Sequence, residues 1–315
     1  MGRIDVHHHM LPTEYVQKWK DASGIPKGLT LPPWSIDLDL KFMDRNDIDT
    51  SVLSLSAPGL AFVNSADEAS KLCRSVNEYA AELVAHHPLR YGFFASLPPL
   101  QQLDACLEEV RYSFDVLKAD GITLLSSYDD KYLGHEDFQP LWQELHRRAA
   151  VVFIHPTFAK TWGAPSDLTI PRPVIDFPHE TTRTAVNLIT SNTIRDFANC
   201  KIILSHGGGT LPYVATRIAH QTADLGLKDK SANEFIKEAK SFYFDLALTG
   251  FEGPVELLRD FADADHILYG SDFPFAREGT VVPQISNINA APMQAYERHS
   301  IESGAAMKLF PRFHR

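Results

Sequence analysis

The 315 residues carry 30 Lys and Arg against 40 Asp and Glu, a formal net charge of -10, with 44% hydrophobic and 22% charged residues. That composition excludes a disordered chain, and an acidic balance with no Lys/Arg-rich run excludes nucleic acid and anionic membrane as partners. No segment approaches about 18 consecutive apolar residues, so no membrane-crossing helix is expected; the three scattered cysteines, Cys73, Cys106 and Cys200, form no disulfide framework or Cys-x-x-Cys pair, and the expected compartment is the cytosol.

In chain order, the first strand is expected over 3–9, Arg3-Ile4-Asp5-Val6-His7-His8-His9, where alternation sends His7 and His9 to the same face. Two imidazoles at one strand end can chelate a divalent metal. An expression tag is the bland alternative, but Met10-Leu11-Pro12 continues as ordinary protein. Residues 11–36, broken by Pro12, Gly24, Pro26, Gly28, Pro32 and Pro33, read as one long connection. Helix and strand then alternate: helix 38–46 and strand 50–56, helix 66–86 and strand 91–97, helix 100–113 and strand 121–125, helix 138–149 and strand 151–154. The pattern runs on through helix 181–198 and strand 201–205, helix 211–220 and strand 242–246, helix 254–261 and strand 266–270.

Eight short apolar strands separated by helices predict parallel pairing and closure into a (β/α)8 TIM barrel, one domain over 1–315 with a C-terminal helical extension. An open doubly wound sheet would need a glycine-rich phosphate loop after the first strand, where His7-His8-His9 stands instead.

Chemistry in such a barrel sits at the C-terminal ends of the strands. The polar residues there are His7-His8-His9, then His155 in Ile154-His155-Pro156, His206 in Ser205-His206-Gly207-Gly208-Gly209, and Asp272 in Gly270-Ser271-Asp272-Phe273-Pro274. Taken singly, His155 reads equally as a loop histidine and Asp272 as a helix cap. Together they favour one cation held by His7, His9, His155 and Asp272, with His8 turned away to pack structurally. His206 reads either as a surface histidine on a flexible turn or as an acid/base or orienting group beside the ligands, and the second reading is favoured. The fourth strand ends in Leu124-Leu125-Ser126-Ser127, with neither Lys nor Glu to bridge a second metal, so the site is expected to be mononuclear.

These motifs, with Met10-Leu11-Pro12, Phe275 and the closing Ala306-Met307-Lys308-Leu309-Phe310-Pro311-Arg312-Phe313, resemble the aminocarboxymuconate-semialdehyde decarboxylase group of the amidohydrolase superfamily along the whole chain. The resemblance implies metal-dependent, oxygen-independent, non-oxidative decarboxylation in a homodimer. It maps the metal ligands onto His7, His9, His155 and Asp272, and the strand-six histidine onto His206. Two departures stand out: Asp39 occupies the region where that group carries a substrate-binding Arg, and Gly208, Gly209 and Thr210 follow His206 where some benzoate-type relatives place a Glu. The departures speak against a dicarboxylate substrate without fixing the aromatic acid; the resemblance implies a small aromatic acid with an ortho hydroxyl, 6-methylsalicylate foremost, yielding m-cresol and CO2.

In the expected mechanism Asp272 takes the phenol proton and returns it to the ring carbon, while His206 orients Asp272. Phe158, Trp162 and Phe275 would wall the ring, and Arg277 would contact the carboxylate. The segment 156–178 reads as a lid or a dimer arm. Three nitrogens and one oxygen suit Zn, with Mn, Co or Fe as alternatives. Hydrolysis of a lactone or cyclic amide, or a non-catalytic metal scaffold, would use the same ligands.

Overall fold

The computed structural model describes residues 2–23, 30–159, 170–226 and 230–314. Its frame is β1 (Arg3–His9), β2 (Ile48–Ser54), β3 (Tyr91–Ala95), β4 (Gly121–Leu125), β5 (Val151–His155), β6 (Lys201–Leu204), β7 (Tyr243–Asp245) and β8 (Ile267–Leu268). Each strand pairs in parallel with the next. The Val6 N–H donates to the Tyr269 carbonyl and the Asp272 N–H to the His7 carbonyl, joining the last strand back to the first. A sheet that returns on itself leaves no free edge. The expected (β/α)8 barrel is the fold.

Around it lie α1 (Thr13–Ser23), α2 (Ile36–Arg45), α3 (Ala66–His86), α4 (Leu103–Asp115), α5 (Gln139–Arg147), α6 (Pro173–Thr190) and α7 (Thr193–Asp196). They are followed by α8 (Leu211–Asp224), α9 (Ala232–Ala239), α10 (Glu252–Phe261), α11 (Glu278–Ala290), α12 (Ala295–His299) and α13 (Ala305–Leu309). The strands read as near-continuous apolar runs because both of their faces are covered. One cluster, including Ile4, Val6, Val52, Phe94, Phe153 and Ile203, fills the barrel and is continued by Met307, Phe310 and Phe313 from the C-terminal extension. Arg312 pairs there with Asp120 at the entrance to β4, so the extension seals the end opposite the strand tops.

Simple alternation does not describe β1. Ile4 and Val6 belong to the interior cluster, yet the rings of His7 and His9 also face inward, toward His155. The change of phase coincides with a break in the β1–β2 register between Asp5 and His8. An irregularity of this kind re-aims side chains. Asp5 stabilises it by accepting the His7 N–H at 3.2 Å through Oδ1 and pairing with His8 Nδ1 at 2.9 Å through Oδ2.

Several elements differ from the sequence expectation: α9 stands between the expected helix 211–220 and strand 242–246, and the one helix expected over 181–198 is divided between α6 and α7. The connection over 11–36 contains α1, which buries Tyr15 and Trp19, one turn apart, on the same face. Helix α6 begins at Pro173 and runs through Pro178, where a boundary nearer 181 was expected. Proline at the first helical position costs no hydrogen bond; Pro178 inside the helix has no N–H to give the Val174 carbonyl, while its own carbonyl accepts from Thr182 Oγ1 at 2.9 Å.

Candidate active site

The tops of β1, β5 and β8 bring four donors together. His7 Nε2 lies 3.1 Å from His9 Nε2, and Asp272 Oδ1 lies 3.4 Å from the first and 3.1 Å from the second. With His155 they form a buried group in which one ligand atom from each residue lies within 4.8 Å of the others. The outward nitrogen of each imidazole is already engaged: His7 Nδ1 with Asp245 Oδ2 at 2.9 Å, His155 Nδ1 with the Pro156 carbonyl at 2.8 Å, and His9 Nδ1 with Ser54 Oγ at 3.0 Å. The Ser54 hydroxyl in turn points to the His8 carbonyl at 3.3 Å. An acceptor at Nδ1 fixes the ring proton there, leaving the Nε2 lone pairs to face one another and a carboxylate. Such a donor set fits one divalent cation.

The electrostatics agree. Burial opposes charge on His7, but Asp245 and Asp272 outweigh it and lift its pKa to about 10, so the field at this point favours a cation. Burial drives His155 well down, helped by the charges of His9 and His7, and also lowers His9. Burial would raise Asp272, yet hydrogen bonds and charge from His7 and His9 prevail and hold its carboxyl well below the usual range.

Asp245, which sequence reasoning missed, organises the inner layer. Besides holding His7, its Oδ1 accepts the backbone N–H of His206 at 3.0 Å and of Ala247 at 2.9 Å. Behind β1, His8 is fully buried and points away from the cluster, as expected. Its Nε2 lies 3.0 Å from Asp39 Oδ2, and Asp39 also accepts from Trp34 Nε1 at 2.9 Å and the Tyr91 hydroxyl at 3.0 Å. Asp39 is thus a buried anchor behind the strand and not a contact for substrate.

His206 caps β6 with φ 55°, followed by three glycines that also have positive φ. Gly209 has no alternative, since a Cβ there would fall 1.9 Å from the Pro178 carbonyl oxygen. His206 Nε2 stands 4.0 Å from Asp272 Oδ2, beyond hydrogen-bonding reach, and its Nδ1 is buried without a partner. Orientation of Asp272 comes instead from His7 and His9, with the backbone fixed at φ 61° by the Asp272 N–H bond of 2.8 Å to His7. Burial, then the charge of His7, lowers the His206 pKa to about 4, so the ring is neutral at pH 7.

Above the donors opens a cleft of about 1190 Å³, lined by His155, His206 and Asp272 at its floor and by Phe158, Phe177 and Phe275 on its walls. Phe158 and Phe275, expected to wall the ring, are among the residues that line this cleft. Arg277 lines the cleft as an exposed side chain, and Trp162 lies outside the described residues. Ser56 Oγ, 3.3 Å from His155 Nε2, adds a hydroxyl that no strand-top motif singled out.

Residues 4–312 match the family profile described as Amidohydrolase. Decarboxylase yanB of Aspergillus niger is 46% identical over 99% of this chain and 88% of its own length. The 6-methylsalicylic acid decarboxylase of Penicillium expansum is 40% identical over 99% of this chain and 97% of its own. A crystal structure of 2,6-dihydroxybenzoate decarboxylase complexed with 2,6-dihydroxybenzoate has a TM-score of 0.83 at 26% identity, covering 99% of both chains. With the barrel, the strand-top donors and matches spanning nearly every residue in agreement, the chain belongs to the amidohydrolase family, in its group of decarboxylases.

Proposed function

We propose that this protein is a metal-dependent, non-oxidative decarboxylase of an ortho-hydroxybenzoate, with 6-methylsalicylate as substrate and m-cresol and CO2 as products. The observation that carries it is the cluster of three Nε2 lone pairs and one carboxylate at the floor of an aromatic-walled cleft. Full-length relatives named decarboxylases, one of them for 6-methylsalicylic acid, support the reaction and the substrate.

His7, His9, His155 and Asp272 would hold one divalent cation, and three nitrogens with one oxygen favour zinc over manganese. When bound, the cation supplies positive charge that neutralises neighbouring carboxylate and phenolate oxygens. Asp272 accepts the phenol proton, and the phenolate pushes its electron pair toward the carboxyl-bearing ring carbon. Asp272 returns the proton to that carbon, the new C–H bond forms, and the bond to the carboxylate breaks to release CO2. His206, neutral at pH 7 and 4.0 Å from Asp272, is a second group on the cleft floor that can take up that proton. Phe158, Phe177 and Phe275 hold the ring and exclude water, and Arg277 at the mouth attracts the acid to a chain of net charge -10. Exposed Ile170, Val174 and Ile175 beside the cleft support a homodimer contact at that edge, to be checked by light scattering.

The deciding experiment measures metal content together with CO2 release from 6-methylsalicylate and from 2-methylbenzoate, in heavy water. Deuterium should appear on the carbon that lost the carboxylate. A site built around a hydroxyl rejects the analogue lacking it by roughly 10⁴-fold or more, so 2-methylbenzoate should be inert. Comparable turnover of both acids, or oxygen from labelled water in the product, would refute the mechanism.

A further inference from the structure

Nine non-glycine residues among those described have positive φ, and three of them, His206, Leu248 and Asp272, line the cleft. They follow three consecutive strands, β6, β7 and β8. Two already have a chemical reason to be there. Leu248 does not, and it is the one large apolar residue of the nine.

Its backbone sits at φ 59° in a four-residue turn closed by the Thr249 N–H to the Leu246 carbonyl at 3.0 Å. The third position of such a turn with positive φ favours Gly or Asn, which occupy it at little cost. Leucine there is strained, and its side chain recovers little by burial: it is 40% exposed and belongs to neither apolar cluster. A strained residue that adds nothing to the core, facing a cleft, points to function.

The turn is also held at a fixed distance from the donors. Asp245, the partner of His7, accepts the Ala247 N–H. On one side a Cβ at Gly270 would fall 2.9 Å from the His7 Cβ and 3.2 Å from the Ala247 nitrogen, and on the other a Cβ at Gly207 would fall 3.2 Å from Thr249 Oγ1. Glycines on both flanks let the turn wedge between the His206 and Asp272 loops. Leu248 is thereby carried on the same frame as the metal ligand His7.

We propose that Leu248 is a specificity-determining residue: it meets the edge of the aromatic ring that carries no metal-binding oxygen and sets the size of substituent accepted there. This rests on the decarboxylase reading. The test compares wild type with Leu248→Gly and Leu248→Phe, using melting temperature, and both Kd and kcat/KM for salicylate, 6-methylsalicylate and 6-propylsalicylate on metal-replete protein. Leu248→Gly should melt at or above the wild-type temperature, because strain is relieved, while its preference for the methyl over the propyl compound falls at least tenfold, since one methylene in an apolar pocket is worth roughly 10- to 200-fold. Leu248→Phe should lose 6-methylsalicylate more than salicylate. A lower melting temperature for Leu248→Gly, or an unchanged order and spacing of the three acids in both variants, overturns the assignment. If wild type neither binds nor turns over any of the three, the decarboxylase reading falls and this one with it; turnover with an unchanged ladder removes this one alone.

Discussion

Asp245 and Asp272 are both buried acids at strand tops, but their surroundings give them different tasks. Asp245 is saturated by His7 Nδ1 and two backbone N–H groups, so it orients and does not react. Changing it to Asn keeps the shape but replaces an acceptor oxygen with an amide, and metal affinity should fall about 10- to 100-fold, the usual scale for a partner that orients a ligand. Titration of metal-free protein with zinc would read this directly. Asp272 faces the cleft, and Asp272→Asn should lower kcat by at least ~10²-fold, the scale of a positioned proton carrier, even where metal is retained through the amide oxygen. His8 is a third case. Removing its ring leaves Asp5 and Asp39 buried without their partner, so His8→Ala should cost about 3–5 kcal/mol of stability, seen by denaturant unfolding. Metal stoichiometry in the fraction that folds should stay near that of wild type, because the ring faces away from the site.

At the scale of elements, each loop that carries the site is held by a contact between segments distant in sequence. Gly209 is the clearest: with φ 64° and Pro178 of α6 against it, Gly209→Ala forces either the loop or the helix to move. Strain and overlap together should cost ~3 kcal/mol or more. Circular dichroism melting would test it, and an unchanged melting temperature would mean that α6 can withdraw without loss. Such contacts mark where the sequence becomes unreadable. The strands were legible because parallel strands covered on both faces are apolar runs, and His155 and Asp272 were legible because each ends such a run. Asp245 ends Tyr243-Phe244 in the same way, so the same rule would have found it. The shift of phase in β1 was not legible, because it depends on register against β2 and on the Asp5 carboxylate bridging the His7 N–H and the His8 ring. Helix α1 was hidden by the proline and glycine on either side of it, and the start of α6 by prolines that normally mark loops.

On the scale of the whole molecule, the four donors come from the first, fifth and eighth strands, so a cation held by them would link points across the barrel mouth and span the junction where β8 meets β1. That junction is otherwise made by few backbone bonds, among them Val6 to Tyr269 and Asp272 to His7. Metal should therefore stabilise the closed barrel and not merely equip it. For a ligand that binds only the folded state, free metal at one hundred times its Kd adds about 2.7 kcal/mol. Chelation should lower the melting temperature, and stepwise return of zinc should raise it continuously with concentration. Protons compete for the same lone pairs: metal-free His7, its pKa lifted to about 10 by Asp245 and Asp272 against burial, already holds a proton at neutral pH that a cation must displace, so metal affinity weakens steadily as pH falls below about 10 and the metal's contribution to stability is lost with it. The gap in melting temperature between metal-loaded and chelated protein should thus close on going from neutral to acid pH. A gap that stays constant down to pH 4 would mean that the histidines are not the ligands.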